Sequence, residues 1–302
     1  MTPRRRTVAD LASVSVRAPA KINLFLRVLA REVSGYHQIE TLFTAVDLCD
    51  EISVDRAECG VSIEVTGADV GPDESNLAYV AAQSFLDATS ASTGVHVTLT
   101  KHIPTGAGLG GGSSDAGATL RALNVLHGKP LQASELLGLA IDIGADVPFF
   151  ASGLGRALAW GRGDRLLGLS GAADLPVLLA LPSVQVSTRD AYSQLPVPTD
   201  RMPGMMEPAA FERWDGVAAI AVNEFETTVF SAHPELGALR GAMESGGALT
   251  ARLSGSGAAL FALFEVVDDA RAARDSLSSK WPDVRFVVTG TLADQPVPTS
   301  TL

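Results

Sequence analysis

The chain has 302 residues, enough for about two domains, and with 46% hydrophobic and 19% charged residues it reads as an ordinary globular protein, not a disordered one. Lys and Arg total 23 against 34 Asp and Glu, so the net charge is −11; nonspecific nucleic-acid binding is disfavoured, and an anionic ligand needs locally placed cations or a metal ion. The two cysteines, Cys49 and Cys59, lack metal-ligand spacing and fit a reducing, cytoplasmic setting, and no apolar run approaches a membrane span.

Arg4-Arg5-Arg6 is basic, but no apolar core follows it, so it is expected to be a solvated tail. Ser13–Arg17 and Lys21–Val28 read as two strands either side of Ala18-Pro19-Ala20. In the second, alternation predicts Ile22, Leu24, Leu26 and Val28 on one face and Lys21, Asn23, Phe25 and Arg27 on the other. Ser34-Gly35-Tyr36-His37 is a turn before the apolar Ile39–Val46. Glu51–Asp55 and Val61–Thr66 resemble a strand pair, Asn76–Ala88 an amphipathic helix, and Val95–Thr100 a half-buried strand.

Next comes the stretch that organises the rest, Pro104-Thr105-Gly106-Ala107-Gly108-Leu109-Gly110-Gly111-Gly112-Ser113-Ser114, followed by Asp115, Ala116 and Gly117. Ala116–Leu126 has helical spacing, with Ser113 or Ser114 as N-cap. A strand, a glycine loop and a helix start together form an anion site, because loop N–H groups converge where the helix dipole is positive. A nucleotide phosphate is the expected anion. Gly106 and Gly111 have the Walker gap, but Gly112 stands where its lysine should be. Gly106, Gly108 and Gly111 match the dinucleotide pattern formally. Yet Leu120–Ala140 reads as two helices broken at His127-Gly128-Lys129-Pro130, where that fold requires a second strand with an acidic end.

Leu131–Ile143 is predicted as a helix, closing at Gly144-Ala145-Asp146-Val147-Pro148. Asp146 there either caps a turn or serves as a partly buried carboxylate needing a partner. Arg156–Leu169 reads as a hairpin around Gly161-Arg162-Gly163-Asp164. Beyond residue 170 the pattern becomes strand (Leu175–Leu181), an exposed proline-bearing connection (Leu195–Glu207), then helix, strand, helix and strand. Within it Arg252-Leu253-Ser254-Gly255-Ser256-Gly257 precedes a strand over Ala258–Phe264, with a helix over Val267–Leu277 and a last strand over Val284–Thr289. The expected division is residues 1–169, carrying the phosphate loop, and 170–302, a second α+β lobe.

Four of these stretches together resemble the small-molecule kinases named for galactose, homoserine, mevalonate and phosphomevalonate, the GHMP kinases. Ala18–Leu26 resembles the N-terminal motif of that family, Pro104–Ser114 its phosphate motif and Arg252–Gly257 its C-terminal glycine motif. P-A-K-I-N-L-F-L, G-Y-H-Q-I-E-T-L-F and G-A-D-V-P-F-F are similar to the branch acting on a diphosphocytidyl alcohol in isoprenoid precursor synthesis. The resemblance implies a two-lobed α+β fold, with a left-handed βαβ unit in the ATP-binding lobe and a ferredoxin-like second lobe. It also implies ATP and Mg²⁺ as cofactors, with metal ligands unassigned, and a cytidine-diphosphate-type small molecule as partner. No nucleic acid, membrane or obligate protein partner is implied.

Carried over residue by residue, the resemblance makes Asp146 the base on the substrate hydroxyl and Lys21 its partner. Residues 104–114 hold the nucleotide, and Asn23, Tyr36, His37, Tyr192, Gly255 and Ser256 contact the substrate. Asp115 and Gly117 depart from the Asn and Ala common there. The chemistry agrees on independent grounds, since phosphoryl transfer needs charge neutralisation on the phosphates and a carboxylate for the hydroxyl proton. Two alternatives are a sister kinase with another alcohol, which has no need of Tyr36-His37, and a silent nucleotide-binding regulator, against which Lys21 and Asp146 argue.

Overall fold

A long antiparallel ribbon forms the first half of the chain in the computed structural model, which describes residues 11–170, 174–195 and 208–301. β1 (Ser13–Arg31) pairs with β2 (His37–Ala57) along nearly its whole length. The two strands expected around Ala18-Pro19-Ala20 are therefore one. Pro19 has no N–H to give a ladder, and the chain absorbs it at a register shift between Pro19 and Ala20 instead of breaking. A second shift between Asn23 and Leu26 also corrects the expected faces. Phe25 turns into the core beside Ile22 and Leu24, while Leu26 emerges on the same cavity wall as Lys21 and Asn23.

β3 (Val61–Thr66), α1 (Leu77–Thr89) and β4 (Gly94–Thr100) follow as a βαβ unit, with β3 parallel to β4. β4 lies between β2 and β3, so Glu51–Asp55 and Val61–Thr66 do not pair with each other. Alternation marks a strand but not its neighbour, and here the neighbour comes some thirty residues later. The Asn76 side chain accepts from Ala78 N at 2.9 Å and caps α1.

α2 (Gly111–Leu126) starts earlier than expected, with Gly110 at its N-cap. Ser113 and Ser114 lie inside its first turn; the Ser114 amide is already committed to Gly110 O, and its hydroxyl donates to Pro19 O at 2.6 Å. α3 (Ala133–Ile143), α4 (Val147–Ser152) and the hairpin β5 (Arg156–Gly161) and β6 (Arg165–Gly168) complete this half. β5 pairs with the first part of β2, which β4 leaves free.

β7 (Pro176–Pro182), α5 (Thr188–Gln194), α6 (Trp214–Ile220), α7 (Phe225–Ala232) and α8 (Pro234–Ser245) come next. They are followed by β8 (Thr250–Leu253), β9 (Leu260–Leu263), α9 (Val267–Lys280) and β10 (Val284–Gly290). The order β10-β7-β9-β8, all antiparallel, with helices between β7 and β8 and between β9 and β10, is the ferredoxin-like arrangement. β11 (Thr299–Thr301) then returns to the edge of β1. Ile22, Leu24 and Phe25 of β1 pack in one apolar cluster with Leu179, Val217 and Phe261, so the two sheets share a core. The Arg4-Arg5-Arg6 tail and the Leu195–Glu207 connection beyond Leu195 lie outside the described residues.

Candidate active site

Lys21 and Asn23 occupy successive same-face positions on β1 and are 4% and 1% exposed, which polar side chains tolerate only when paired. Lys21 Nζ donates to Asn23 Oδ1 at 2.7 Å, Asn23 Nδ2 to Thr41 Oγ1 at 2.8 Å, and Thr41 Oγ1 to Phe25 O at 2.7 Å. This relay fixes the lysine. Its remaining partner is Asp146, with Nζ 3.6 Å from Oδ2. Burial lowers the Lys21 pKa, and Asp146 offsets only part of that.

Asp146 stands at the N-cap of α4 yet makes no capping hydrogen bond, so its carboxylate is not spent on the helix. Its side chain is 30% exposed and lines a cavity of about 580 Å³ with Lys21 and Asn23.

The glycine loop is clamped on both sides. Lys21 N donates to Leu109 O at 2.9 Å, and Ala259 N to Ala107 O at 3.0 Å. Ser254 Oγ donates to Gly108 O at 3.0 Å, so the C-terminal glycine motif rests directly on the phosphate motif. A Cβ on Gly108, at φ +80°, would lie 2.1 Å from Ser254 O. Asn223 Nδ2 holds Leu253 O and Gly255 O at 2.8 Å each, and Ser256 Oγ meets Thr188 Oγ1 at 2.9 Å.

A second cavity of about 520 Å³ is lined by Pro104, Thr105, Gly106, Ala107, Gly108, Gly110, Gly111, Gly112 and Ser113, together with Asn76, Lys101 and Asp115. Leu109 packs instead in the core, and Ser114 is fully buried. Gly108, Gly110 and Ser113 line both cavities, so the loop is the wall they share. Gly255 and Ser256 lie on the Lys21–Asp146 side.

Tyr36, His37 and Tyr192 also line that first cavity. His37 and Tyr192 stack with centroids 4.6 Å apart, and Phe225 meets Tyr192 edge-on at 4.7 Å. Burial and Arg31 lower the His37 pKa, so its imidazole is neutral at pH 7. Burial, then Asp146, raises the Tyr192 phenol. Tyr36 is 58% exposed and carries the Arg162 guanidinium over its ring at 4.1 Å; Glu32 anchors that arginine at 2.6 Å.

A buried triad behind the glycine loop is absent from the sequence reading. Lys101 Nζ bridges Asp50 Oδ2 and Asp115 Oδ2, the latter at 2.6 Å. Asp50 Oδ1 accepts from His102 N and Ile103 N at 2.5 and 2.8 Å, fixing the strand-to-loop corner. Burial opposes the Lys101 charge, but Asp115 and Asp50 outweigh it and raise the lysine's pKa. Burial pushes Asp115 up to about 8, with Lys101 pulling against it. The carboxyl beside the glycine loop is thus countered by a cation, while burial favours its protonated form. Gly117 is explained by packing, since a Cβ there would lie 2.5 Å from the Phe150 Cβ.

Residues 76–154 match the GHMP kinases N terminal domain, and residues 205–283 match the GHMP kinases C terminal domain. The chain is 40% identical over 255 residues to the 4-diphosphocytidyl-2-C-methyl-D-erythritol kinase of Shouchella clausii, covering 83% of this chain and 86% of that one. To the enzyme of the same name from Chlorobaculum tepidum it is 38% identical, covering 88% and 94%. A crystal structure of 4-(cytidine 5'-diphospho)-2C-methyl-D-erythritol kinase superposes with a TM-score of 0.78 at 36% identity, over 92% of this chain and 98% of that one. Homoserine kinase from Cytophaga hutchinsonii shares the fold, with a TM-score of 0.75 at 21% identity over 99% of both chains. The chain belongs to the GHMP kinases, in the branch of the 4-diphosphocytidyl-2-C-methyl-D-erythritol kinases.

Proposed function

We propose that this kinase transfers the γ-phosphoryl group of ATP to the 2-hydroxyl of 4-diphosphocytidyl-2-C-methyl-D-erythritol in the cytoplasm, as a step of isoprenoid precursor synthesis. The observation that carries this reading is the shared wall: a nucleotide-sized cavity and an acceptor-sized cavity meet at Gly108, Gly110 and Ser113, with Lys21 and Asp146 on the acceptor side. The lobes divide near residue 170, and the clamp of Ser254 on Gly108 joins them at the site.

ATP lies with its triphosphate along residues 104–114, where loop N–H groups and the start of α2 receive the β- and γ-phosphates. Asp146 takes the proton of the acceptor hydroxyl as its oxygen attacks γ-phosphorus in line with the departing ADP oxygen. Lys21, fixed by Asn23 and Thr41, meets the charge developing on the transferred group, and its burial strengthens that interaction.

Mg²⁺ fits this wall as a phosphate-borne ion. Among the described residues no cluster of three acidic, His or Cys groups exists, but Ser113 and the unpartnered, buried Asp115 Oδ1 lie at the nucleotide cavity and could complete its oxygen shell. Bound there, it would neutralise phosphate charge.

The cytosine is received at the Tyr36–His37 end. A base inserted between His37 and Tyr192 would need roughly twice their present spacing. The neutral His37 therefore meets the base by its edge, and Tyr36, with one face covered by Arg162, offers the other.

The test is ADP formation from Mg-ATP with 4-diphosphocytidyl-2-C-methyl-D-erythritol, run beside mevalonate and homoserine. Turnover confined to the cytidine compound is expected. Turnover only with a control would discard the base-binding role of Tyr36 and His37, and ATP binding without any turnover would leave a regulator.

A further inference from the structure

A third cavity, of about 370 Å³, lies apart from the two described above and shares no lining residue with either. Its wall includes Thr44 and Arg156, which are register partners across β2 and β5 and so project from the same face of the sheet. Phe43 lines the acceptor cavity and its neighbour Thr44 lines this one, placing the two cavities on opposite faces of β2.

Arg156 is 5% exposed, and both its Nη1 and Nη2 lack a hydrogen-bond partner; the Thr44 hydroxyl, in a residue 1% exposed, lacks one too. Burial lowers the arginine's pKa with nothing to oppose it. The guanidinium lies over the Trp214 ring of α6, at 5.1 Å. A buried guanidinium without an acceptor is unfavourable enough that native structures nearly always supply one. Two orphaned donors on one face of one cavity indicate what is missing.

We propose that this cavity binds a small organic oxyanion, a carboxylate or phosphate monoester carrying a short apolar or aromatic body. Arg156 offers the planar two-nitrogen fork that such groups match, and Thr44 adds a hydroxyl donor. Thr291 Oγ1 already accepts from Leu175 N at 2.9 Å, which leaves its proton free to donate. Leu154, Leu169, Leu292 and Trp214 form the apolar part of the wall. Asp174 and Asp294 are exposed members of the lining and repel polyanions, which favours a ligand of low charge over a nucleotide.

The test keeps the phosphate loop filled with saturating ADP and titrates phenyl phosphate, benzoate and neutral benzyl alcohol. Trp214 emission is read in a Trp160→Phe, Trp281→Phe background, since the chain has three tryptophans. Melting temperature is read in parallel. At least one anion should change the emission and raise Tm by about 2–4 °C, and which one responds tells phosphoryl from carboxylate chemistry. Benzyl alcohol should do neither. Arg156→Met should abolish both responses while retaining turnover and melting at or above the wild-type temperature, because it removes an unpaired buried charge. Thr44→Val should weaken the response without abolishing it. The proposal is overturned by an equal response to the alcohol, by responses that survive in Arg156→Met, or by no response to either anion up to about 10 mM.

Discussion

Replacing Lys101 with Met tests the triad behind the phosphate loop. The lysine is held between two carboxyl groups whose side chains are 0% and 3% exposed, and it is 3% exposed itself. Methionine keeps most of the volume but leaves Asp50 and Asp115 facing each other without a cation. Removing one member of a buried pair destabilises by about 3–5 kcal/mol. Asp115 can retreat from this by staying protonated, because burial already lifts it to about 8. The loss should therefore be smallest in acid and grow as pH rises. Asp115→Asn, which removes one carboxylate, should be within about 1 kcal/mol of wild type alone and should recover much of the Lys101→Met loss in the double variant.

The sign follows from proton linkage. A group whose folded pKa is raised binds more protons folded than unfolded between its two values, so its contribution to stability is full below about pH 4 and declines up to about pH 8. The decline is at most about 1.4 kcal/mol per pH unit, and Asp115→Asn should flatten it. Urea unfolding of the four proteins at pH 5.5, 7 and 8.5 measures all of this. A Lys101→Met loss below about 1 kcal/mol at every pH, or additive single and double variants, would refute the reasoning.

Asp146→Asn should leave ATP affinity within a few-fold while turnover collapses; turnover equal to wild type removes Asp146 as the base. His37→Ala should raise KM for the cytidine substrate with little change in KM for ATP, measured by initial rates, and an unchanged substrate KM would sink its role at the base. Gly108→Ala places a methyl group 2.1 Å from Ser254 O in a left-handed backbone, so the two glycine motifs must separate by about 1 Å, a displacement worth on the order of 100-fold in kcat/KM. Activity within about three-fold of wild type would show that the contact does not set the geometry.

Much of this architecture could be read from local signals. The glycine loop, the strand before it and the helix after it are contiguous, so local pattern suffices to mark them as a candidate anion site. Lys21 and Asp146 are 125 residues apart, and only resemblance to a family paired them before the fold brought Nζ and Oδ2 to 3.6 Å. The triad was not legible at all. Asp50 reads as one more acidic residue at a strand end, and nothing in its neighbourhood announces that it accepts from His102 N and Ile103 N. The faces of β1 beyond Asn23 depart from simple alternation for a related reason, since a bulge is a property of two paired strands and the period of one strand cannot show it.

These illegible contacts share a purpose that the net charge makes plain. A protein with a charge of −11 must bring two anionic molecules together, and bulk electrostatics opposes both. The structure meets this with a few cations fixed by neighbours of their own: Lys21 by Asn23, Lys101 by Asp50 and Asp115, Arg162 by Glu32. Each anchor withholds the cation from solvent or from free rotation, so little reorganisation remains when phosphate arrives. Arg156 breaks the pattern, because among the described residues its buried Nη1 and Nη2 have no hydrogen-bond acceptor. Set against Lys21 and Lys101, each buried and anchored, that exception is the strongest reason to look for an anion there.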